Sequence, residues 1–346
     1  MKSNIAISRK SSRKISAILL LWAALPLAAP PTWADPQSGT SGATFLRLEQ
    51  GARAIGMGGA FSAVAEGASA LWWNPAGIVH SSFTEVTLSH TQFIEEINSQ
   101  VVGAVRPVAL PGGGRGAFGA SFTYLAIPGI EGYDSNKNKI GSLDANSMAG
   151  GVAFAAMLSP QVSAGVRVQS IREKLATETG SGFSGDVGVQ YRQDKLGLGF
   201  VVQHMGPGMR IGGTSSPLPM LYKGGLAYAL FPRLTLAVDG EKPTDSDMKM
   251  HGGAEARLTP MLALRGGFQQ LRNAGAGAGM TVGFGFNGIF GAGWGSDSGS
   301  WWEQGANDLE RAVRRNRGAY LVSLDYAFLS FGDFSNTHRF TLGVKF

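Results

Sequence analysis

From about residue 84 to the C-terminus, apolar residues alternate with small or polar ones at a period of two, and no other feature constrains the fold as tightly. In the last segment His338, Phe340, Leu342, Val344 and Phe346 share one face, while Arg339, Thr341, Gly343 and Lys345 share the other. Successive side chains of a strand point to opposite faces, so this period predicts strand. The same reading sets Val162, Ala164, Val166 and Val168 against Ser163, Gly165, Arg167 and Gln169, and it groups Met280, Val282, Phe284 and Phe286. Fourteen such segments occur, near 84–91, 98–107, 115–127, 146–157, 160–174, 181–192, 195–204, 219–231, 233–243, 248–258, 260–269, 276–286, 318–328 and 336–346. Most are about ten residues long, the length a tilted strand needs to cross a bilayer. Every second connection is a tight turn, as at Gln193-Asp194 and Phe231-Pro232-Arg233, and the others, such as 128–145 and 205–218, are longer and polar. A soluble sandwich shares the alternation, but it shows water a face rich in Lys and Glu. Here the second face is mostly Gly, Ala and Ser, as suits a filled lumen. The expectation is an all-β fold, a transmembrane antiparallel β-barrel of about 14 strands.

Composition refines this. Of 346 residues 51 are glycine and none is cysteine, which excludes a disulfide scaffold and a cysteine-based metal or redox site. The formal charge of +6 comes mostly from Lys2, Arg9, Lys10, Arg13 and Lys14, and no acidic residue precedes Asp35. Basic start, apolar run from Ile15 to Ala29 and Thr32-Trp33-Ala34 predict a signal peptide over 1–34, cleaved after Ala34. Without that leader the chain is nearly neutral, so no nucleic-acid partner is implied. After residue 34 no run of 18 consecutive apolar residues exists, which excludes a helical membrane span.

Residues 35–83 do not alternate. They contain Gly51-Ala52-Arg53-Ala54-Ile55-Gly56-Met57-Gly58-Gly59-Ala60-Phe61 and then Ala70-Leu71-Trp72-Trp73-Asn74-Pro75-Ala76-Gly77. A Gly- and Ala-rich stretch packs closely, and a short helix that Asn74-Pro75 terminates is expected after it. Lying before the first strand, the segment is placed to fold back into the lumen as an N-terminal plug. Gly56-Met57-Gly58-Gly59 and 275–279 lack the strand, helix and acid of a dinucleotide loop. His80, His90, His204, His251 and His338 show no metal-ligand spacing, and no motif links Ser89-His90 to Asp186, so no cofactor, metal or catalytic residue is expected. Glu85, Arg106, Arg167, Asp186, Asp239, Glu255, Arg257, Arg265, Asp325 and Arg339 read as inward charges that line a path or pair to hold wall and plug together.

The segment from Gly51 to Phe61, with Ala68-Ser69-Ala70-Leu71-Trp72-Trp73-Asn74-Pro75-Ala76-Gly77 and the ending Asn336 to Phe346, resembles the PorV/PorQ family of FadL-like outer-membrane proteins. The resemblance spans about 45–346 and implies a fourteen-stranded barrel (84–346) with an N-terminal hatch (35–83). It carries the hatch motif onto Asn74, Pro75, Ala76, Gly77, Gly56, Gly58 and Gly59. Phe346, with Phe340 on the same face, resembles the C-terminal signal read by barrel assembly machinery. One departure is an insertion over 288–317, with Trp294, Trp301 and Trp302 and an expected helix near 303–316. The implied function is passive uptake of hydrophobic small molecules across the outer membrane of a Gram-negative-type bacterium. The alternative is a scaffold or cargo-binding component of type IX protein secretion. The implied partners are outer-membrane lipid, the assembly machinery, and either a hydrophobic ligand or type IX secretion components.

Overall fold

A computed structural model describes residues 40–93, 96–133, 135–176, 178–270, 279–291, 309–310, 313–314, 318–332 and 336–346. The expected leader, 1–34, and the three tryptophans of the insertion lie outside the described residues. Fourteen long strands form the wall. They are β1 (Glu85–Gln92), β2 (Asn98–Leu110), β3 (Gly114–Tyr133), β4 (Lys139–Met157), β5 (Val162–Leu175), β6 (Glu178–Gln193) and β7 (Leu196–Met205). After a small hairpin of β8 (Met209–Ile211) and β9 (Thr214–Ser216) come β10 (Leu221–Phe231), β11 (Leu234–Pro243) and β12 (Lys249–Arg257). The set ends with β13 (Leu262–Gln269), β14 (Met280–Gly291), β15 (Ala319–Ser330) and β16 (Asn336–Lys345). Each wall strand pairs antiparallel with its chain neighbour, β7 passes to β10, and β1 pairs with β16 from Glu85↔Lys345 to Gln92↔His338. The fourteen wall strands therefore close into a barrel, and among the described residues none of them is left as a free edge.

The alternation places apolar side chains outside. Val152, Phe118 and Val168 are 67%, 57% and 57% exposed, whereas the intervening Ala153, Ala117 and Arg167 are buried. An exterior of this composition suits hydrocarbon and not water. Neighbouring strands stack outward rings across the wall: Phe284 lies 5.3 Å from Tyr326, and Tyr326 lies 5.1 Å from Phe340. Phe340 and Phe346 both face outward, and the Phe346 N–H donates to the Thr84 carbonyl at 3.0 Å, which ties the last residue to the start of β1.

Three sequence expectations change. Arg106 is not a lumen charge: it lies exposed on the outer face, opposite Phe118, while Val101 and Val105 point inward. Both faces of β2 are apolar there because its inner side packs on the plug, so alternation lost its polarity. The stretch 128–145 is not a plain loop, since β3 and β4 stay paired through most of it, with a register shift between Ile127 and Ile130, where Pro128 has no N–H to offer the ladder. The insertion starts later than expected, because β14 runs to Gly291. Within 303–316 only Leu309, Glu310, Val313 and Arg314 are described, and all four are helical.

Residues 43–83 lie inside the wall. A 3-10 turn Thr44–Arg47 precedes the short helix Ala52–Gly56, and 3-10 turn Gly67–Ser69 leads into helix Ala70–Trp73 and 3-10 turn Pro75–His80. Gly58 (φ 65°) and Gly59 (φ 78°) turn the chain out of the first helix in the left-handed region. The core is plug against wall: Ile55, Met57, Phe61, Leu71, Trp73 and Ile78 cluster with inward Val105, Ala117, Ala155, Ala227, Ala237 and Ala327.

A charge on the outer face tests this orientation. Val168→Arg, near the middle of β5, is expected to destabilise the folded barrel in phospholipid vesicles by about 2–4 kcal/mol, measured by denaturant titration. An unchanged titration midpoint contradicts a lipid-facing Val168.

Candidate functional site

The wall is shaped to receive the plug backbone. Inward glycines stand where plug atoms press closest: a Cβ on Gly188 of β6 would collide with the Asn74 carboxamide, and one on Gly165 of β5 with the Pro75 carbonyl. Across the lumen, a Cβ on Gly267 of β13 would strike Met57 and Gly58, and one on Gly283 of β14 would press on Gly56 at 3.1 Å. The seven motif glycines and Asn-Pro-Ala residues thus form two groups: Asn74, Pro75, Ala76 and Gly77 beside β5 and β6, and Gly56, Gly58 and Gly59 beside β12 to β14.

Asn74 is fully buried and uses its whole side chain. Its Oδ1 accepts the Ala76 N–H (3.1 Å), capping the turn that Pro75 opens, and its Nδ2 donates to the carbonyls of Ser62 (3.1 Å) and Val189 (3.2 Å). One bond therefore shapes the plug, one joins its two halves, and one reaches the wall. Asp239 of β11 accepts the N–H groups of Phe61 (3.1 Å) and Ser62 (2.8 Å), fixing the plug from the opposite side.

The inward charges are mostly paired. Glu255 accepts from Arg265 at 2.8 Å and from plug Arg53 at 2.8 Å, and Arg265 also reaches Asp325 at 2.5 Å. Arg53 continues to plug Glu66 (2.8 Å), which in turn meets Arg192 (3.3 Å). Burial alone would raise the Glu66 carboxyl, but Arg53 and Arg192 hold it well below the usual carboxylate range. Arg167 pairs with Asp186 at 2.9 Å and donates to the Leu71 carbonyl of the plug at 2.5 Å. Breaking one partner of such a buried pair is costly even where the intact pair adds little net stability. Arg257, half-exposed, meets Glu255 at 3.3 Å, and Lys345 lies 4.0 Å from Glu85. Arg339 differs: it is buried, donates to Thr337 Oγ1 (2.8 Å), lies over the Phe93 ring (5.5 Å), and has no ion pair among the described residues.

Glu49, Glu241 and His251 bring ligand atoms within 4.8 Å of one another, a metal-like grouping. The Lys223 ammonium already supplies the cation there, 2.7 Å from Glu241 and 3.9 Å from Glu49.

Two cavities flank the plug. At the end carrying the longer loops, an apolar cavity of about 530 Å³ is walled by Phe45, Leu48, Phe93, Leu125, Ile127 and Leu175, with Thr44, Ser147, Glu173 and Thr337 as its polar groups. At the end carrying the tight turns, a cavity of about 190 Å³ is rimmed by Arg53, Glu66, Arg192, Lys195, Glu255 and Arg257. An apolar pocket on one side and a charged mouth on the other are thus separated by a close-packed plug. None of the apolar cavity residues stood out in the sequence. The available signal was a departure from the small-inward rule, since Leu125, Ile127 and Ile171 are large side chains at inward positions near strand ends.

The glycine seats make a direct prediction. Gly188→Val is expected to expel the plug, raising both proteolysis of residues 40–83 and conductance in planar bilayers, with heat-modifiable gel mobility retained. Gly150→Val, where a Cβ would meet only the Phe122 ring at 3.8 Å, should change neither. Equal behaviour of the two variants contradicts the seat.

No family model matches the chain, and a search of curated protein sequences finds no match. Solved structures do match. The toluene transporter TodX of P. putida superimposes with a TM-score of 0.53 at 14% identity, covering 86% of this chain and 97% of that one. The Ralstonia pickettii toluene transporter TbuX gives 0.51 at 13%, covering 86% and 98%. A Pseudomonas aeruginosa FadL homologue gives 0.50 at 9%, covering 83% and 95%. At such identities the likeness is one of fold, and the fold this chain shares with them is the FadL-like β-barrel.

Proposed function

We propose that the chain is an outer-membrane channel for passive uptake of hydrophobic small molecules. The observation that carries this reading is the apolar cavity of about 530 Å³ at the loop end, directly above the plug. Its size falls within the roughly 300–1,000 Å³ of small-molecule pockets, and its lining is mostly aliphatic and aromatic. An apolar molecule leaving water for this cavity gains about 25 cal/mol per Å² of surface buried, enough to concentrate it at the plug without an energy source. Passage then requires the plug to shift, because its largest side chains are fully buried against the wall. In this reading the leader 1–34 directs export, residues 35–83 are the hatch, and Phe346 with Phe340 is read by the barrel assembly machinery. Outer-membrane lipid surrounds the wall. The names of the toluene transporters whose fold the chain shares support the same ligand class. The type IX secretion role implied by the PorV/PorQ resemblance finds no support among the solved structures named above.

Leu125→Arg places a charge in the apolar cavity without touching the plug seats. Cells or proteoliposomes carrying it are expected to take up radiolabelled toluene at least roughly tenfold more slowly than those with the unaltered protein, the barrel remaining heat-modifiable. Undiminished uptake would remove the cavity from the path.

A further inference from the structure

Among the described residues, one charged side chain, Glu173, lines the apolar cavity, and no ion pair neutralises it. Glu173 lies on the inner face of β5, in register with Ser147 of β4 and Gly180 of β6. Its Oε2 accepts the Ala43 N–H of the plug at 3.1 Å and its Oε1 meets Ser147 Oγ at 3.5 Å. No cation pairs with it among the described residues, and its strand neighbours Arg172 and Lys174 are exposed on the other face. A carboxylate has about four lone-pair sites, so about two remain open toward the cavity. Buried Arg339 is engaged by Thr337, to which it donates, and by Phe93, which it overlies, and both of these residues line the cavity.

A pure hydrocarbon filling this cavity would strip water from Glu173 and return nothing, whereas a ligand that donates a hydrogen bond would satisfy it. An anionic ligand would add a like charge. We propose that the cavity selects apolar molecules bearing a hydrogen-bond donor, hydroxyl or amine, with the donor on Glu173 and the apolar body against Phe45, Leu125 and Leu175. This rests on the channel reading and sharpens its ligand class.

The test uses four ligands on one ring frame, toluene, p-cresol, benzylamine and benzoate, titrated calorimetrically into the purified full-length protein and into Glu173→Gln. The carboxamide keeps the shape and can still accept the Ala43 N–H, and heat-modifiable mobility verifies folding. Comparing variant with unaltered protein for each ligand cancels partitioning into detergent. The expected result is a roughly tenfold or greater loss of p-cresol and benzylamine affinity in Glu173→Gln, with toluene unchanged and benzoate binding no more weakly than before. Glu173→Leu should drop p-cresol to the same extent while leaving toluene unchanged or tighter. Equal p-cresol affinity in the unaltered protein and both variants overturns the donor preference while leaving the channel reading in place. Failure of all four ligands to bind the unaltered protein overturns both.

Discussion

A closed barrel of fourteen strands encloses more space than its own inward side chains can fill, and this geometric fact governs the rest of the molecule. The chain fills the space with its own residues 43–83, and the wall must then thin where the plug backbone passes. That is why so many inward positions are Gly or Ala. The high glycine content is a consequence of the plug: at Gly188, Gly165 and Gly267 any side chain would occupy volume already taken by Asn74, Pro75 or Met57.

Close packing alone does not choose one docked position, because a surface of small residues is smooth. Directional contacts do. Asp239 receives two consecutive plug N–H groups, Asn74 spans plug and wall, and Arg53 ties the plug to Glu255 while Arg265 ties Glu255 to Asp325. Asn74, Asp239, Glu255 and Arg265 are buried, so each would be left uncompensated by a small displacement. The plug is thereby given a discrete resting state, and under the proposed channel function the apolar cavity is the side from which a ligand would enter.

The strands were legible because each faces two different media, and the fourteen expected segments correspond one to one with the fourteen wall strands. Legibility failed where the two media become alike. In β2 the inner face touches the apolar plug, so the sequence pattern points Arg106 into the lumen although it lies outside. The charges Arg167, Asp186, Asp239, Glu255, Arg265 and Asp325 do point inward, but their partners come from strands and plug segments far apart in sequence, which no local pattern encodes. Glu173 is illegible for the same reason: a single acid between Arg172 and Lys174 looks like a solvated strand end until the plug and Ser147 close around it.

The central claim is that the plug closes the lumen and must move for a ligand to pass. The chain has no cysteine, so a single engineered pair is clean. Leu71→Cys with Gly119→Cys suits it, since a Cβ on Gly119 would lie 2.6 Å from Leu71 Cδ2 and the shorter cysteine leaves room for a bridge. Uptake of toluene by this double variant, measured oxidised and then reduced, decides the matter. The account predicts that uptake stops when the bridge is closed and returns on reduction; uptake undiminished with the bridge closed would contradict it.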